Sequence, residues 1–210
     1  GQLGPHVVKA LEGHHQLRIT DIVPIDSPHD TRQVDIGNPD AVMQVAEGMD
    51  VIINCSVQRR DRQGAFHVNA LGTYNALKAA VAYNMDRFIN TGPRFSLVNS
   101  RALDYGQTVP ETVPPNSGTG LYALSKALGL EICRIFSQHY PIHILSMIFS
   151  RFVPPEPEPG KTYRDHPHSI TFRDAAQAIK LALEVDLQTL PSRFECFYMA
   201  TDLPHQRFPN

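Results

Sequence analysis

A tyrosine and a lysine stand four residues apart in the stretch SGTGLYALSKALGLEI, residues 117–132. Positions i and i+4 share one face of a helix, so the phenol of Tyr122 and the ammonium of Lys126 are predicted to be neighbours. A free tyrosine has a pKa of about 10, and a nearby ammonium favours its phenolate. Such a pair could take a proton from a substrate hydroxyl, or return one. The alternative is a surface pair on an amphipathic helix, because this spacing alone is common.

Two glycines and an aspartate could bind a dinucleotide. Gly1 and Gly4 precede a predicted helix and could end a GxxGxxG loop, where free N–H groups and the positive end of the helix dipole bind a pyrophosphate. Asp21 ends the next predicted strand, where a carboxylate accepts hydrogen bonds from the adenosine ribose and would repel a 2′-phosphate. The alternative is a tight turn and a solvated loop aspartate. The order of glycines, helix, strand and aspartate favours a dinucleotide site, and NAD over NADP.

The segments that must position these residues alternate between helix and strand. Strands are predicted at HQLRITDI, DVIINCSV, DRFINTG, IHILSMIFS and FECFYMA, and helices at GPHVVKALEG, NPDAVMQVAEGM, GAFHVNALGTYNALKAAVAYN, GLYALSKALGLEICRIFSQHY and FRDAAQAIKLALEV. This alternation requires crossovers and predicts an α/β fold with a doubly wound parallel sheet. We expect a single domain over residues 1–210, with a short substrate-binding segment around 150–170 as a small C-terminal lobe. We also expect a strand before Gly1, because such a sheet normally has a strand before its first helix.

Composition argues against several classes of function. The net charge is −2 without a basic stripe, so nucleic acid is not an expected partner, and no apolar run is long enough to span a membrane. Cys55, Cys133 and Cys196 lack CxxC spacing, which indicates reduced thiols in a cytoplasmic protein. The histidines at 14–15 and in DHPHS (165–169) have no second cluster at ligand spacing, so no metal site is predicted.

Eight stretches together resemble the extended short-chain dehydrogenases/reductases of the NAD-dependent epimerase/dehydratase family. They are GQLGPHVVKAL, RITDI, VDIGNPDAV, DVIINCSV, HVNALGTYNALKAA, RFINTG, LYALSKALGLEI and SITFRDAAQAIKLAL, and they run from Gly1 to about Leu183. The resemblance implies a Rossmann-like fold and an NAD-dependent oxidoreductase or epimerase/dehydratase of carbohydrate metabolism. Its small-molecule substrate would be a sugar, sugar nucleotide or related hydroxy compound, changed by hydride transfer. It also implies a homodimer built from the long helices around Asn69 and Tyr122.

The resemblance further implies roles by position. Residues at the pyrophosphate would be Gly1, Gln2, Leu3 and Gly4; at the adenosine ribose, Asp21 and Ile22; at the adenine, Asp35 and Ile36; in a turn beside the cofactor, Cys55, Ser56 and Val57; and in the next helix, Asn69. Tyr122 would be the acid/base, and Lys126 would bind the nicotinamide ribose and tune Tyr122.

The chain departs from the family where a third catalytic group, a hydroxyl, is expected. Counted from the strand end, this position falls on Pro93, which has no donor; counted back from Tyr122 it lies near Ser96, and Thr91 is the other candidate. Pro93 and the changed loops favour an alternative function, a catalytically weak or inactive NAD-binding regulatory or scaffold protein. The short segment 150–169 suits a small substrate such as a free uronic acid or aldose.

A run of charges at residues 59–62 allows two interpretations. It is typical of a solvated loop that leads into a long helix. If this loop borders the cleft, an arginine there could meet a substrate carboxylate.

Overall fold

The computed structural model describes residues 1–97, 116–153 and 169–199. The helices are α1 (Gly4–Leu11), α2 (Pro39–Ala46), α3 (Arg62–Phe66), α4 (Gly72–Ala82), α5 (Leu121–His139) and α6 (Phe172–Glu184), with a π-helical turn at His67–Leu71 between α3 and α4 and 3₁₀ turns at Arg94–Ser96 and Leu187–Thr189. The strands are β1 (Arg18–Asp21), β2 (Asp30–Gln33), β3 (Val51–Asn54), β4 (Arg87–Pro93), β5 (His143–Phe149), β6 (Arg151–Val153), β7 (Ser169–Thr171) and β8 (Phe194–Met199).

The central sheet has four parallel strands in the order β3-β4-β5-β8. Its register places Asn54 opposite Asn90, and Asn90 opposite Ser146, so the strands present their carboxyl ends along one edge. In a doubly wound sheet this edge is where ligands bind. The predicted parallel α/β architecture is confirmed.

A second parallel pair, β1 with β2, is not hydrogen-bonded to the central sheet among the described residues. Gly1 nevertheless lies at the ends of both sheets. Its amino group is 3.3 Å from Asp21 Oδ2 at the end of β1, and a Cβ added to it would lie 4.0 Å from the carbonyl oxygen of Cys55, just after β3. The strand expected before Gly1 stays a prediction, as does the single domain.

Helices cover both faces of the central sheet, which explains why its strands are almost continuously apolar. Successive residues of β4 point to opposite faces. Phe88 packs into the core beneath α2, α4 and α5, and Ile89 packs into the core beneath α1 and α6; both are fully buried. Likewise, Ile144 of β5 packs into the same core as Phe88, and Leu145 packs into the same core as Ile89. The sheet is therefore held rigidly between two apolar layers.

Local sequence signals set the helix that leads away from β2. The side-chain oxygen of Asn38 accepts hydrogen bonds from the N–H groups of Asp40 and Ala41, at 3.1 and 3.2 Å, and Pro39 occupies the first turn. This cap satisfies two of the four N–H groups that a helix leaves free at its start. The cap predicted at Asn38 is confirmed.

Candidate functional site

The lysine of the candidate pair is buried where β3 and β4 end. Lys126 lies in the second turn of α5 and is 6% exposed. Its Nζ donates to the carbonyl oxygen of Ser56 at 2.8 Å and to that of Thr91 at 3.1 Å. Burial lowers the pKa of Lys126 to about 8, and the nearby positive charge of Arg59 acts in the same direction. The ammonium is therefore held at the carboxyl edge of the sheet at some electrostatic cost.

Tyr122 lies one turn before Lys126 on the same helix and is partly buried. Burial raises the pKa of its phenol above the ordinary value, and the neighbouring Arg59 opposes that rise. The Cζ atom of Arg59 lies 5.0 Å from the centroid of the tyrosine ring. The loop that carries Arg59 thus lies beside Tyr122, and a contact of this arginine with a substrate carboxylate stays a prediction. An influence of Lys126 on Tyr122 stays a prediction.

Both candidate hydroxyls, Thr91 within β4 and Ser96 just after it, donate to backbone carbonyls. The Oγ1 of Thr91 donates to the carbonyl oxygen of Asn54 at 2.8 Å, and the Oγ of the fully buried Ser96 donates to that of Pro93 at 2.6 Å. Pro93 itself is the last residue of β4. The structure therefore places both hydroxyls near the strand end, and the assignment of a third catalytic group to either stays a prediction.

Asn69 ties the loop after β3 to α5. It is fully buried in the π-helical turn. Its Oδ1 accepts from the N–H of Gln58 at 3.0 Å, and its Nδ2 donates to the carbonyl of Gln58 at 2.7 Å and to Ser125 Oγ at 3.0 Å. A π-helical turn inside a helix often marks a functional site, because it redirects a side chain. The resemblance pointed to Asn69; its partners Gln58 and Ser125 were not predicted.

A network of polar side chains around Asn54 connects to the loop that binds Lys126, and it was not predicted from the sequence. Asn54 Nδ2 donates to Thr73 Oγ1 at 3.1 Å and to Asn90 Oδ1 at 3.2 Å, while Ser56 Oγ donates to Asn54 Oδ1 at 2.6 Å. The signal in the sequence was one asparagine in each of two adjacent apolar strands, at the end of β3 and in the middle of β4. Because Ser56 supplies a carbonyl to Lys126, this network fixes one acceptor of the ammonium.

The candidate cofactor residues gather at the same edge, around the start of α1. Asp21 receives the Gly1 amino group at 3.3 Å and the N–H of Val23 at 3.4 Å. Ile22 and Val57 leave large apolar side chains exposed there, at 59% and 39%. The structure thus brings the chain start before α1 next to the half-buried carboxylate of Asp21, and the binding of NAD by these residues stays a prediction.

The two residues implied for the adenine lie beside the π-helical turn. Both oxygens of Asp35 contact the Nε2 of His67, at 3.0 and 3.1 Å, and its Oδ1 also accepts from the N–H of Gly37. The His67 and Gly37 hydrogen bonds lower the pKa of this carboxyl. Ile36 offers its carbonyl to Asn75 Nδ2 at 3.0 Å. Asp35 is therefore anionic and oriented in the folded protein.

Residues 1–188 match the NAD dependent epimerase/dehydratase family. The chain belongs to this family. The resemblance stated from sequence is thereby confirmed, and NAD is the family's cofactor.

A curated relative in this comparison is the L-arabinose 1-dehydrogenase (NAD(P)(+)) of Haloferax volcanii, 24% identical over 168 residues that make up 70% of this chain and 62% of that protein. The chain thus spans less than two thirds of this relative's length. A solved mutated uronate dehydrogenase superposes with a TM-score of 0.82 at 20% identity, covering 100% of this chain and 74% of that one. The NAD complex of UDP-glucuronic acid 4-epimerase from Bacillus cereus gives a TM-score of 0.74 at 16% identity, covering 95% and 74%. These structures show that the family fold is present.

The described residues contain neither a membrane-spanning helix nor a cluster of metal ligands. Within them, no helix has the length and apolar character needed to cross a membrane. In the same part of the chain, no group of three or more His, Cys, Asp or Glu residues could hold a metal ion. The predicted cytoplasmic location stays a prediction.

Proposed function

We propose that this family member is an NAD-dependent oxidoreductase or epimerase that acts on a small sugar, sugar acid or related hydroxy compound, with Tyr122 as its acid/base. One observation carries the proposal. The Lys126 ammonium is buried against the carbonyls that follow β3 and end β4, with Tyr122 one turn before it, at the edge where Asp21 also lies. Without a ligand at this edge, a buried ammonium would only cost stability.

The residues fit NAD, which would accept or return a hydride when bound. The backbone of residues 1–4 and the start of α1 would bind its pyrophosphate, and Asp21 its adenosine ribose. The Lys126 ammonium would bind the nicotinamide ribose. Tyr122 would take the proton of the substrate hydroxyl as a phenolate and donate it back as a phenol. Asn69 would keep the loop beside Tyr122 in place through its three hydrogen bonds.

Two observations support a small, free substrate. The stretch between β6 and β7, which we expect to contribute to a substrate lobe, is short in sequence, and residues 154–168 within it lie outside the described residues. In addition, the similar solved structures include a uronate dehydrogenase from Agrobacterium tumefaciens, with a TM-score of 0.78, and the curated relative is named as an arabinose dehydrogenase. We therefore favour a free uronic acid or aldose over a sugar nucleotide.

The test is a binding titration followed by turnover. We expect the intact protein to bind NADH more tightly than NADPH, because Asp21 would repel the 2′-phosphate. NAD reduction at 340 nm should appear with a uronate or an aldose. Tyr122→Phe should lower kcat by about 100-fold or more and leave NADH binding unchanged. Tyr74→Phe, on the exposed face of α4, is the matched control and should keep full activity. Full turnover by Tyr122→Phe would refute the mechanism.

A second candidate is a catalytically weak or inactive NAD-binding regulatory or scaffold protein. Pro93 favours it, because proline ends β4 where the family is expected to supply a hydroxyl, and the hydroxyls of Thr91 and Ser96 donate to backbone carbonyls. This candidate predicts NADH binding without turnover on uronates, aldoses or sugar nucleotides.

We also propose a homodimer. Large apolar side chains are 37–44% exposed along the helices that the family resemblance assigns to the interface: Phe66, Leu71, Tyr74, Leu128 and Ile135. Covering them in a second copy would remove this surface from water. Light scattering should give twice the chain mass, and Leu128→Lys should give the monomer mass; a monomeric wild-type protein would contradict the proposal.

A further inference from the structure

Arg59 places a positive charge over the ring of Tyr122. Its Cζ lies 5.0 Å from the ring centroid, within the range of a cation–π contact. The residue is exposed, and no ion pair among residues 1–97, 116–153 and 169–199 includes it. The guanidinium is thus directed at the phenol and is not neutralised by a described carboxylate.

The loop that carries Arg59 is fixed from both sides. Asn69 binds both the N–H and the carbonyl of Gln58. The side-chain oxygen of Gln58 in turn accepts from the N–H groups of Arg59 and Arg60, at 2.8 and 3.2 Å. The next carboxylate along the chain, Asp61, caps α3 by accepting from the N–H of Gly64. The backbone of Arg59 is therefore held, and its nearest acidic neighbour is occupied elsewhere.

Two other titratable groups, one on α5 and one on the π-helical turn that packs against it, have separate partners. On α5, Lys126 directs its ammonium at the carbonyls of Ser56 and Thr91. On the π-helical turn, His67 contacts Asp35. A phenolate attracts a cation over its ring more strongly than a neutral phenol does, because the negative charge is shared with the ring. Burial disfavours the phenolate, and Arg59 is the charged group that counteracts this effect.

We propose that Arg59 is a positioning residue that promotes the phenolate form of Tyr122, a role that the family resemblance gives to Lys126. The inference rests on the proposed function only for the use of Tyr122 as acid/base. Arginine stays protonated throughout the working pH range, so this charge would be permanent.

The test is a titration of the Tyr122 phenol by NMR, in the intact protein labelled with ¹³C at tyrosine Cζ and without added NAD. The Tyr122 signal is identified by its loss in Tyr122→Phe. Across 5.0 Å, attraction in a medium between bulk water and a protein surface corresponds to a midpoint change of about one pH unit. We expect Arg59→Gln to raise the midpoint by that amount, and Arg60→Gln, one residue along the same loop, to leave it unchanged.

The nitration rate of Tyr122 at pH 8 is a second readout, and it does not require the full titration. Nitration by tetranitromethane proceeds through the phenolate, so at pH 8 Tyr122 should react about tenfold more slowly in Arg59→Gln than in the wild type, with most of the rate restored by lysine. The nitrated peptide is measured by mass spectrometry.

Three results would overturn the inference: an unchanged midpoint and nitration rate in Arg59→Gln, an equal change in Arg60→Gln, or no recovery of the nitration rate at pH 8 in Arg59→Lys. Neither readout needs substrate or cofactor. A protein without turnover whose Tyr122 titration depends on Arg59 would therefore refute the proposed function alone. An active protein with an insensitive titration would refute this inference alone.

Discussion

Replacing the buried lysine should make the protein more stable at neutral pH. Lys126→Met keeps the length of the side chain and removes its charge. Burial lowers the pKa of Lys126 from the ordinary 10.5 to about 8. This difference of about 2.5 corresponds to about 3 kcal/mol by which the folded state disfavours the ammonium at pH 7. The variant should therefore gain up to about that much unfolding free energy, less what is lost with the hydrogen bonds to Ser56 and Thr91.

The pH dependence gives this prediction its sign. Above pH 8 the folded wild type releases the proton while the unfolded chain keeps it until about 10.5, so the wild-type unfolding free energy rises across this window relative to the variant. The excess unfolding free energy of Lys126→Met over wild type should therefore be largest below pH 8. It should fall by about 1.4 kcal/mol per pH unit above pH 8 and stop falling near pH 10.5.

Urea unfolding of both proteins at pH 7, 8.5 and 9.5, without added NAD, measures this difference. The matched control is Lys78→Met on the exposed face of α4, which should show no pH-dependent difference from the wild type over the same range. The electrostatic argument would be refuted if the unfolding free energies of Lys126→Met and wild type changed in parallel with pH, or if the variant were less stable than wild type at pH 7.

Three further substitutions test the packing that holds the site, each by urea unfolding. Gly129→Ala should cost about 2 kcal/mol or more, since its Cβ would overlap the backbone oxygen of Asn69. Gly120→Ala, with nothing within 4 Å of the added Cβ, should be nearly neutral, and equal losses of stability in the two variants would contradict this contact. Asn69→Ala should cost about 2–4 kcal/mol, because three buried hydrogen bonds are lost; a loss below about 1 kcal/mol would show that the loop does not depend on them. Arg87→Met should lower the unfolding free energy by about 2–3 kcal/mol, because the Arg87 guanidinium donates to three carbonyls at and just beyond the end of α6. An unchanged urea midpoint would contradict that role.

The sequence predicted those parts of the fold whose residues have a strong local pattern. The apolar runs in β3 and β5 indicated buried strands, although β3 is only half-buried along most of its length, and Asn38-Pro39 marked the start of α2. Polar elements were missed. β2 (DTRQ) has no apolar alternation, and its identity as a strand comes from pairing with β1. The π-helical turn was hidden inside a long amphipathic pattern, because one extra residue in a turn hardly alters the periodicity.

The site shows a similar division. Helical spacing placed Tyr122 and Lys126 correctly on one face of α5. The contact with Arg59 could not be predicted, because it joins residues 63 positions apart and depends on how a loop is folded back by Asn69. The Asn54–Asn90 contact required the strand register, which no local pattern contains.

The anchoring of β1 by Arg18 has a consequence for ligand affinity. Arg18 begins β1 and donates to the carbonyls of Val45 and Glu47 around the end of α2, and Asp21, which we propose binds the adenosine ribose, ends the same strand. If this anchor is released for part of the time, the Asp21 carboxylate is displaced with the strand. The apparent dissociation constant for NAD then equals the intrinsic one divided by the fraction of molecules in which the anchor is intact, so mutations at Arg18, remote from the chemistry, would change cofactor affinity without changing a single cofactor contact.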